Sequence, residues 1–230
     1  MATCRHVGGT MPRVLTQADI DQFRNRLCDV AARLYFEVGH SDFQMRDLAS
    51  RVGVSAMTPY RYFGDKDGIL AAVRTRGVAR LADQLEAAVS QGPAAVMQTY
   101  IRFAMEEAAY YRLIFDLSQP RTRLTDLTGQ ERRVRSAMLA AFATEPSKSE
   151  AETMALSLWA ALHGAICMVL AGKLSESELG DLGSRLSLAF FGVSHQFVVP
   201  SLQVSPSCGA PGTSETSRFH GAAAANIAAE

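Results

Sequence analysis

Three features are scarce in this sequence: net charge, paired cysteines and an apolar leader. Its 23 basic and 23 acidic residues cancel, which taken alone argues against a nucleic-acid-binding protein. The four cysteines, at positions 4, 28, 167 and 208, are too far apart for a Cys-x-x-Cys metal or redox pair. Residues 1–15 lack the apolar region of a secretory signal peptide. We therefore expect a cytoplasmic protein with reduced thiols.

Motifs of catalysis are also lacking. The sequence contains no H-E-x-x-H, G-x-S-x-G or Walker loop. Glu37 and His40 have the Glu-x-x-His spacing of di-iron helical bundles, but such a centre needs a second copy and further glutamates. Gly39, between them, is expected to end its helix. The sequence predicts no enzymatic activity, no cofactor and no metal site.

Two long stretches lack formal charge, from Thr153 to Gly172 and from Leu186 to Ser214. About twenty apolar residues suffice to cross a bilayer. The first stretch, however, carries Ser157, His163 and Gly164 near its middle, and polar groups are costly in lipid. Small residues allow helices to approach closely. We therefore predict that these helices pair with a second copy of the chain, and we predict no membrane span.

Apolar residues recur at helical spacing along most of the chain, and no segment alternates as a strand does, so we predict an all-α fold. The predicted helices are 16–39, 44–51, 56–63, 66–90, 94–108, 110–117, 128–143, 150–172 and 176–199. Their expected N-caps include Thr16 with Asp19, Ser41 or Asp42, Ser55, and Ser175 with Glu178. Residues 1–15 are expected to form a flexible arm, and residues 200–230, rich in Pro, Ser, Gly and Ala, a disordered tail.

The segment from Asp47 to Ser55 predicts a helix, a glycine turn and the start of a second helix. Gly53 can adopt a conformation that other residues reach poorly, and Val54 can fill the corner between the helices. This is helix-turn-helix geometry, which offers the second helix to the major groove of DNA. That helix carries three hydroxyl side chains and Arg61, which are common partners of phosphates and bases. Lys66, at the start of the next helix, can grip a phosphate together with free backbone N–H groups.

The neutral total charge conceals an asymmetry. Residues 1–80 hold 12 basic and 8 acidic residues, whereas residues 81–230 hold 11 basic and 15 acidic residues. The predicted DNA-facing part is therefore basic and the remainder acidic.

The Gly-Val-Ser turn at 53–55, the Tyr-x-Tyr-Phe at 60–63 and the Lys-Asp at 66–67 resemble the DNA-binding domain of the TetR family of transcriptional regulators over about residues 16–75. Pro59 resembles a subset of the family with Thr-Pro-Tyr. The resemblance implies a homodimer, and the members of this family are mainly repressors. It also implies a three-helix DNA-binding module (16–64) joined by a linker helix to a ligand-binding and dimerisation bundle (65–199). By position, the implied DNA-binding residues are Arg46, Tyr60, Tyr62 and Lys66 at phosphates, and Ala56, Met57, Thr58 and Arg61 at base edges. Ser55, in the turn before them, is also expected to bind DNA.

The C-terminal part, from Tyr110–Phe115 to Trp159–Ala165, resembles a TetR subtype marked by Trp, His and Gly (WHG) over about 94–175. Trp159 and His163 lie four residues apart on one helix face, and they can line a ligand pocket. The alternative is a packed Trp with a hydrogen-bonded core His. The other candidate pocket residues, for which core packing is again the alternative, are Met97, Tyr100, Phe103, Ala104, Tyr111, Phe115, Met138 and Phe142.

The sequence thus predicts a ligand-responsive regulator, and specifically a repressor. We expect it to bind a near-palindromic DNA operator as a homodimer formed through helices 150–172 and 176–199. A small apolar or aromatic effector would release it. The alternative is a helical small-molecule-binding protein without specific DNA binding.

Overall fold

The computed structural model describes residues 16–116, 127–142 and 147–203. Within these ranges the chain forms helices and no strands, which confirms the all-α prediction. The helices are α1 (Gln17–Asp42), α2 (Met45–Val52), α3 (Thr58–Phe63), α4 (Lys66–Val89), α5 (Pro93–Glu106), α6 (Ala108–Ile114), α7 (Leu127–Ala140), α8 (Lys148–Leu170) and α9 (Glu176–Phe191).

Two helices begin at the predicted capping boxes. The Thr16 hydroxyl accepts the backbone N–H of Asp19, whose carboxylate accepts the N–H of Thr16 in return. Ser175 and Glu178 make the same reciprocal pair at the start of α9. Each box satisfies two N–H groups that a helix start otherwise leaves without partners.

Two predicted N-caps are wrong. Ser41 and Asp42 belong to the last turn of α1, which resumes after a break at Gly39, whose φ is 74°. The residue that precedes α2 is therefore Gln44, and its side chain makes no capping hydrogen bond. Ser55 does not cap α3 either, because that helix begins only at Thr58. The Ser55 hydroxyl instead lies 2.9 Å from the Thr58 hydroxyl.

The last predicted helix, 176–199, is too long. It ends at Phe191 because Gly192 takes a left-handed conformation (φ 66°), and the chain then runs back in an irregular extended path. The Gln98 amide pairs with both backbone groups of Val198, at 2.6 and 3.0 Å. Residues 200–203, expected to be disordered, are instead held against the body, where the N–H of Gln203 donates to the carbonyl of Met105. The predicted arm 1–15 and the rest of the tail, 204–230, lie outside the described residues.

The long α4 connects the two parts of the molecule, because it contacts α1 and α3 at one side and α5, α6 and α7 at the other. Its buried residues include Ile69, Val73, Leu81 and Leu85. Gly77 lies where α4 packs against α6, and a Cβ atom there would stand 2.9 Å from the Tyr110 ring. The N-terminal helices α1 to α3 therefore share a continuous core with the helical body.

By length and composition α8 could cross a membrane, although a third of its most apolar stretch of 18 residues is buried within the protein. One such helix is weak evidence for a membrane, because core and interface helices of water-soluble proteins have the same composition.

Candidate nucleic-acid interface and ligand cleft

The turn between α2 and α3 has the predicted helix-turn-helix geometry. Gly53 adopts a left-handed conformation (φ 77°), and its N–H closes α2 on the carbonyls of Ala49 and Ser50. Val54 follows, half-buried against the core. A left-handed residue at this point is readily supplied only by glycine, so the sharp turn between the helices depends on Gly53.

The residues before and along α3 present a largely exposed face. Five of the nine predicted DNA-binding residues lie there in exposed positions: Ser55, Ala56, Met57, Tyr60 and Arg61. Met57 is 64% exposed, unusually high for a large apolar side chain. Arg46 is exposed on α2, the first helix of the helix-turn-helix. The Thr58 side chain is half-buried, and Pro59 occupies the first turn of α3, where a missing N–H costs little.

Tyr62 and Lys66, two of the predicted phosphate contacts, also make contacts within the protomer. The half-buried Tyr62 ring packs on Phe23 of α1, with ring centroids 5.1 Å apart. The Lys66 ammonium donates to the carbonyl of His40 at the end of α1. Because an ammonium carries three donors, this bond leaves room for a phosphate contact. Both residues thus contribute to holding the module together.

Arg24 of α1 positions α3, a role that the sequence did not reveal. Its guanidinium donates to the carbonyl of Tyr62 at 2.9 Å and lies 4.7 Å from the centre of the Phe63 ring. Arg24 therefore provides a hydrogen-bond donor to the Tyr62 carbonyl near the end of α3 and packs on the ring of Phe63, the last residue of that helix. Nothing in the sequence pattern singled out Arg24.

A cleft of about 800 Å³ opens between α4, α6, α7 and α8. Its wall is formed by apolar side chains and its α7 side by charged ones. The lining residues are Val78, Leu81, Ile114, Phe115, Glu131, Arg132, Val134, Arg135 and Trp159. Small-molecule sites have this size and this mixture of an apolar wall with a few polar groups.

Only Phe115 and Trp159 of the ten predicted ligand-binding residues line this cleft. Five others pack in the core, as the alternative interpretation of these residues predicted. They are Met97, Phe103, Ala104, Met138 and Phe142. Phe142, for example, packs on Phe191 with ring centroids 4.8 Å apart. The structure adds residues that the sequence analysis missed, namely Val78 and Leu81 on α4, and Val134 with its charged neighbours on α7.

The remaining predicted ligand-binding residues form a hydrogen-bonded chain behind the cleft. The Trp159 indole N–H donates to the Tyr100 hydroxyl at 2.8 Å, and that hydroxyl lies 3.0 Å from the hydroxyl of Tyr111. The Tyr111 hydroxyl lies 2.7 Å from Nδ1 of His163. Cys167 Sγ follows, 3.5 Å from Nε2 of His163. The polar atoms of these side chains are satisfied by one another.

Burial keeps this chain uncharged. Desolvation lowers the pKa of His163 and raises the pKa of Tyr100 and Tyr111, so the imidazole and both phenols are neutral at ordinary pH. The hydrogen-bonded core His was the alternative considered for His163, and the geometry agrees with it. Trp159 belongs both to this chain and to the cleft wall.

The end of α6 connects the cleft to the N-terminal helix α1 and to α4. Ile114 and Phe115 line the cleft, and the next residue, Asp116, accepts a hydrogen bond from the Tyr35 hydroxyl of α1. The guanidinium of Arg74 on α4 donates to the carbonyls of Leu113 and Asp116, at 3.3 and 3.0 Å. Arg74 is only 7% exposed, and this burial lowers its pKa.

A second connection lies earlier along both α1 and α6. The Tyr110 hydroxyl of α6 donates to Asp29 of α1 at 2.7 Å. Asp29 also pairs with Arg76 and Arg80 of α4, at 3.4 and 3.5 Å. Burial and the Asp29 carboxylate together raise the pKa of Tyr110, so its hydroxyl remains a donor.

The outer face of α8 is apolar and exposed. Leu156, Ala160, Gly164 and Met168 are exposed and follow one another at intervals of four residues, so they form one ridge along the helix. Leu156 is 62% exposed. A Cβ atom at Gly164 would meet no described residue of the protomer within 4 Å. Leu188 of α9 is also exposed.

Two family profiles match the chain. Residues 27–73 match the profile of bacterial regulatory proteins of the tetR family. Residues 94–187 match that of the tetracyclin repressor-like C-terminal domain, which includes Trp159, His163 and Gly164. The two profiles cover more than half of the chain and describe the two parts of one kind of regulator. No curated protein matches the sequence.

Solved structures share the fold. SCO4313, a protein assigned a regulatory role, superimposes with a TM-score of 0.68 at 23% identity over 78% of this chain and 100% of its own. A TetR-like transcriptional regulator from Rhodococcus sp. RHA1 gives 0.57 at 18% identity, over 78% of this chain and 98% of its own. PfmR, a TetR family transcriptional regulator from Thermus thermophilus, gives 0.55 at 18% identity, over 79% of this chain and 100% of its own.

Proposed function

Since this chain belongs to the TetR family of transcriptional regulators, we propose that it is a cytoplasmic, ligand-responsive repressor that binds a near-palindromic operator as a homodimer. The observation that carries the proposal is the exposed face before and along α3, which follows a left-handed glycine turn in the DNA-binding module. Each protomer of the dimer places this face in a major groove. Two-fold symmetry of the protein then requires a near-palindromic site with half-sites about one helical turn apart.

The proposed DNA contacts fall into two groups, those with phosphates and those with base edges. Arg46 and Tyr60 bind phosphates, which fix the register of the protein on the duplex but carry no sequence information. Arg61 and the exposed Met57 face base edges, where a guanidinium pairs best with guanine and an apolar side chain meets the methyl group of thymine. Lys66 supplies a further phosphate contact with the donors that His40 leaves unused.

The homodimer forms through α8 and α9. Its support is the exposed ridge of Leu156, Ala160, Gly164 and Met168, together with the exposed Leu188 of α9. A ridge of residues four apart packs into the grooves of a second helix, and the small residues within it allow close approach. Two such helices from each protomer make a four-helix interface, which removes these apolar side chains from water.

The cleft is the effector site, and the end of α6 transmits the effect of effector binding to the DNA-binding module. Ile114 and Phe115 line the cleft, while Asp116 and Arg74 connect the same turn to α1 and α4. An apolar or aromatic effector that displaces Phe115 therefore moves the residues that hold the DNA-binding module. Release requires that the effector bind the DNA-competent and DNA-incompetent states unequally, with a coupling of about 1–3 kcal/mol.

Selection of bound duplexes from random DNA tests the proposal. We expect the protein without effector to enrich a near-palindromic sequence, and we expect a reporter gene behind that sequence to be repressed. Failure to enrich any palindrome would favour the alternative of a helical small-molecule-binding protein without specific DNA binding. Activation of the reporter would instead leave DNA binding intact and remove the repressor role. Arg102→Ala, an exposed α5 substitution, serves as a control that should not alter the selected sequence.

A further inference from the structure

Among the described lining residues of the ligand cleft, all the charged side chains belong to α7 and form what we call the α7 rim. The inner wall consists of apolar side chains from all four helices. Trp159 contributes its ring but donates its indole N–H to Tyr100, 2.8 Å away. Phe115 packs its ring on the imidazole of His163, with centroids 4.4 Å apart, and His163 is not among the residues that line the cleft. Among the described lining residues, the inner wall therefore offers a ligand no hydrogen-bonding side chain.

The rim carries three charged residues of α7: Glu131, Arg132 and Arg135. Arg133, between them in sequence, does not line the cleft and pairs with Asp83 and Glu86 of α4. Arg135 is exposed, and within the described ranges its guanidinium has no hydrogen-bond or ion-pair partner. The Arg135 guanidinium is therefore available at the rim to an anionic group of a ligand.

We infer that the cleft binds an elongated apolar molecule that ends in a single carboxylate. The apolar part lies against Leu81, Phe115 and Trp159, where its burial is favourable. The carboxylate lies at the rim on Arg135, whose planar guanidinium matches a carboxylate with two parallel hydrogen bonds. The inference rests on the proposed function, because it names the class of effector for the same cleft.

The charges of the rim also predict which apolar ligands bind the cleft with lower affinity. A primary amine of the same length would meet the like charge of the Arg135 guanidinium, so it should bind most weakly despite the presence of Glu131. An alcohol would keep the apolar contacts and lose the charge-assisted hydrogen bonds. The expected order of affinity is carboxylate, then alcohol, then amine.

The chain offers a direct readout of cleft occupancy, because its only tryptophan, Trp159, lies in the wall. Intrinsic fluorescence of the full-length protein is titrated with decanoic acid, decan-1-ol and decylamine, the acid and the amine kept below their micellar concentrations and the alcohol below its solubility limit. We expect decanoate to change the emission at concentrations about tenfold lower than decanol, as suits one charge-assisted contact that is partly screened by solvent.

Substitutions at the rim assign this preference to residues. Arg135→Gln should bring the decanoate and decanol affinities close together, with the decanol affinity unchanged. Glu131→Gln should strengthen decanoate binding, because it removes a like charge from the rim. Arg102→Gln, an exposed Arg of α5 that does not line the cleft, is the matched control and should keep the full preference.

The inference is overturned if none of the three ligands changes the Trp159 emission, if the alcohol or the amine binds as tightly as the acid, or if Arg135→Gln keeps the preference. DNA selection separates this failure from failure of the proposed function. Enrichment of a palindrome without decanoate binding would leave the regulator intact and remove the carboxylate effector. Decanoate binding without an enriched palindrome would keep the effector class and remove the operator-binding role.

Discussion

Gly77→Ala tests the contact between α4 and α6, through which the proposed effector cleft communicates. The added Cβ atom would stand 2.9 Å from Cδ1 of Tyr110 and 3.1 Å from Cδ1 of Ile114. The Ile114 methyl group can rotate away. The Tyr110 ring is held by its hydrogen bond to Asp29 and by Arg80 lying 4.8 Å from its centre, so it can yield only if α6 moves.

Two opposed effects decide the sign. Alanine favours a helix over glycine by roughly 0.5–1 kcal/mol. Overpacking of a well-filled contact costs roughly 1–3 kcal/mol. Because the nearest neighbour of the new methyl group is a restrained ring, the steric cost should exceed the gain. We expect Gly77→Ala to lower the free energy of unfolding by about 1–2 kcal/mol.

Urea denaturation at a fixed protomer concentration measures this change, since the stability of a dimer depends on concentration. Gly129→Ala is the matched control, because Gly129 also lies in a helix, α7, and a Cβ atom there meets none of the described residues within 4 Å. It should raise the free energy of unfolding by roughly 0.5–1 kcal/mol. If the substitution at Gly77 stabilises the protein as much as the one at Gly129, the close contact between α4 and α6 is refuted.

Four other substitutions test separate parts of the proposal. Gly164→Leu should leave the protomer folded but dissociate the dimer, which light scattering over a dilution series would show; an intact dimer would argue against the α8 interface. Arg46→Ala should weaken binding to all DNA sequences and reduce the salt slope by about 0.9, as expected when one phosphate is no longer neutralised. Arg61→Ala should change the selected bases, and an unchanged sequence would exclude it from base readout. Because burial lowers the pKa of His163 below its ordinary 6.5, stability should fall as the pH drops through and below that value, and His163→Asn should lose less stability over the same range.

Local hydrogen bonding made much of the fold predictable. The capping boxes at Thr16 and Ser175 and the turn at Gly53 each depend on residues within four positions of one another, so their patterns are complete in the sequence. The end of α9 is different. Apolar spacing continues past Phe191, but Val198 pairs with Gln98, which is 100 residues distant in the chain. No local pattern could reveal that partner.

The candidate cleft was less predictable for a related reason. An apolar stripe on a helix has the same spacing whether it faces the core or a cavity, so Met97 and Phe115 were indistinguishable in the sequence. Trp159 and His163 share a helix face, yet one lines the cleft and the other bonds to Tyr111 behind it. The DNA-binding residues were easier to predict because the helix-turn-helix fixes their positions through short-range geometry.

The two tyrosine–aspartate bonds between α1 and α6 bear on the engineering of chimeric regulators. Tyr110 of α6 donates to Asp29 of α1, whereas Tyr35 of α1 donates to Asp116 after α6, so each helix supplies one donor and one acceptor. A graft that replaces the N-terminal module at the start of α4 would bring in a foreign α1 and break both bonds at once. A hybrid that keeps its response to effector should therefore exchange only α2 and α3, or carry Asp29 and Tyr35 into the new first helix.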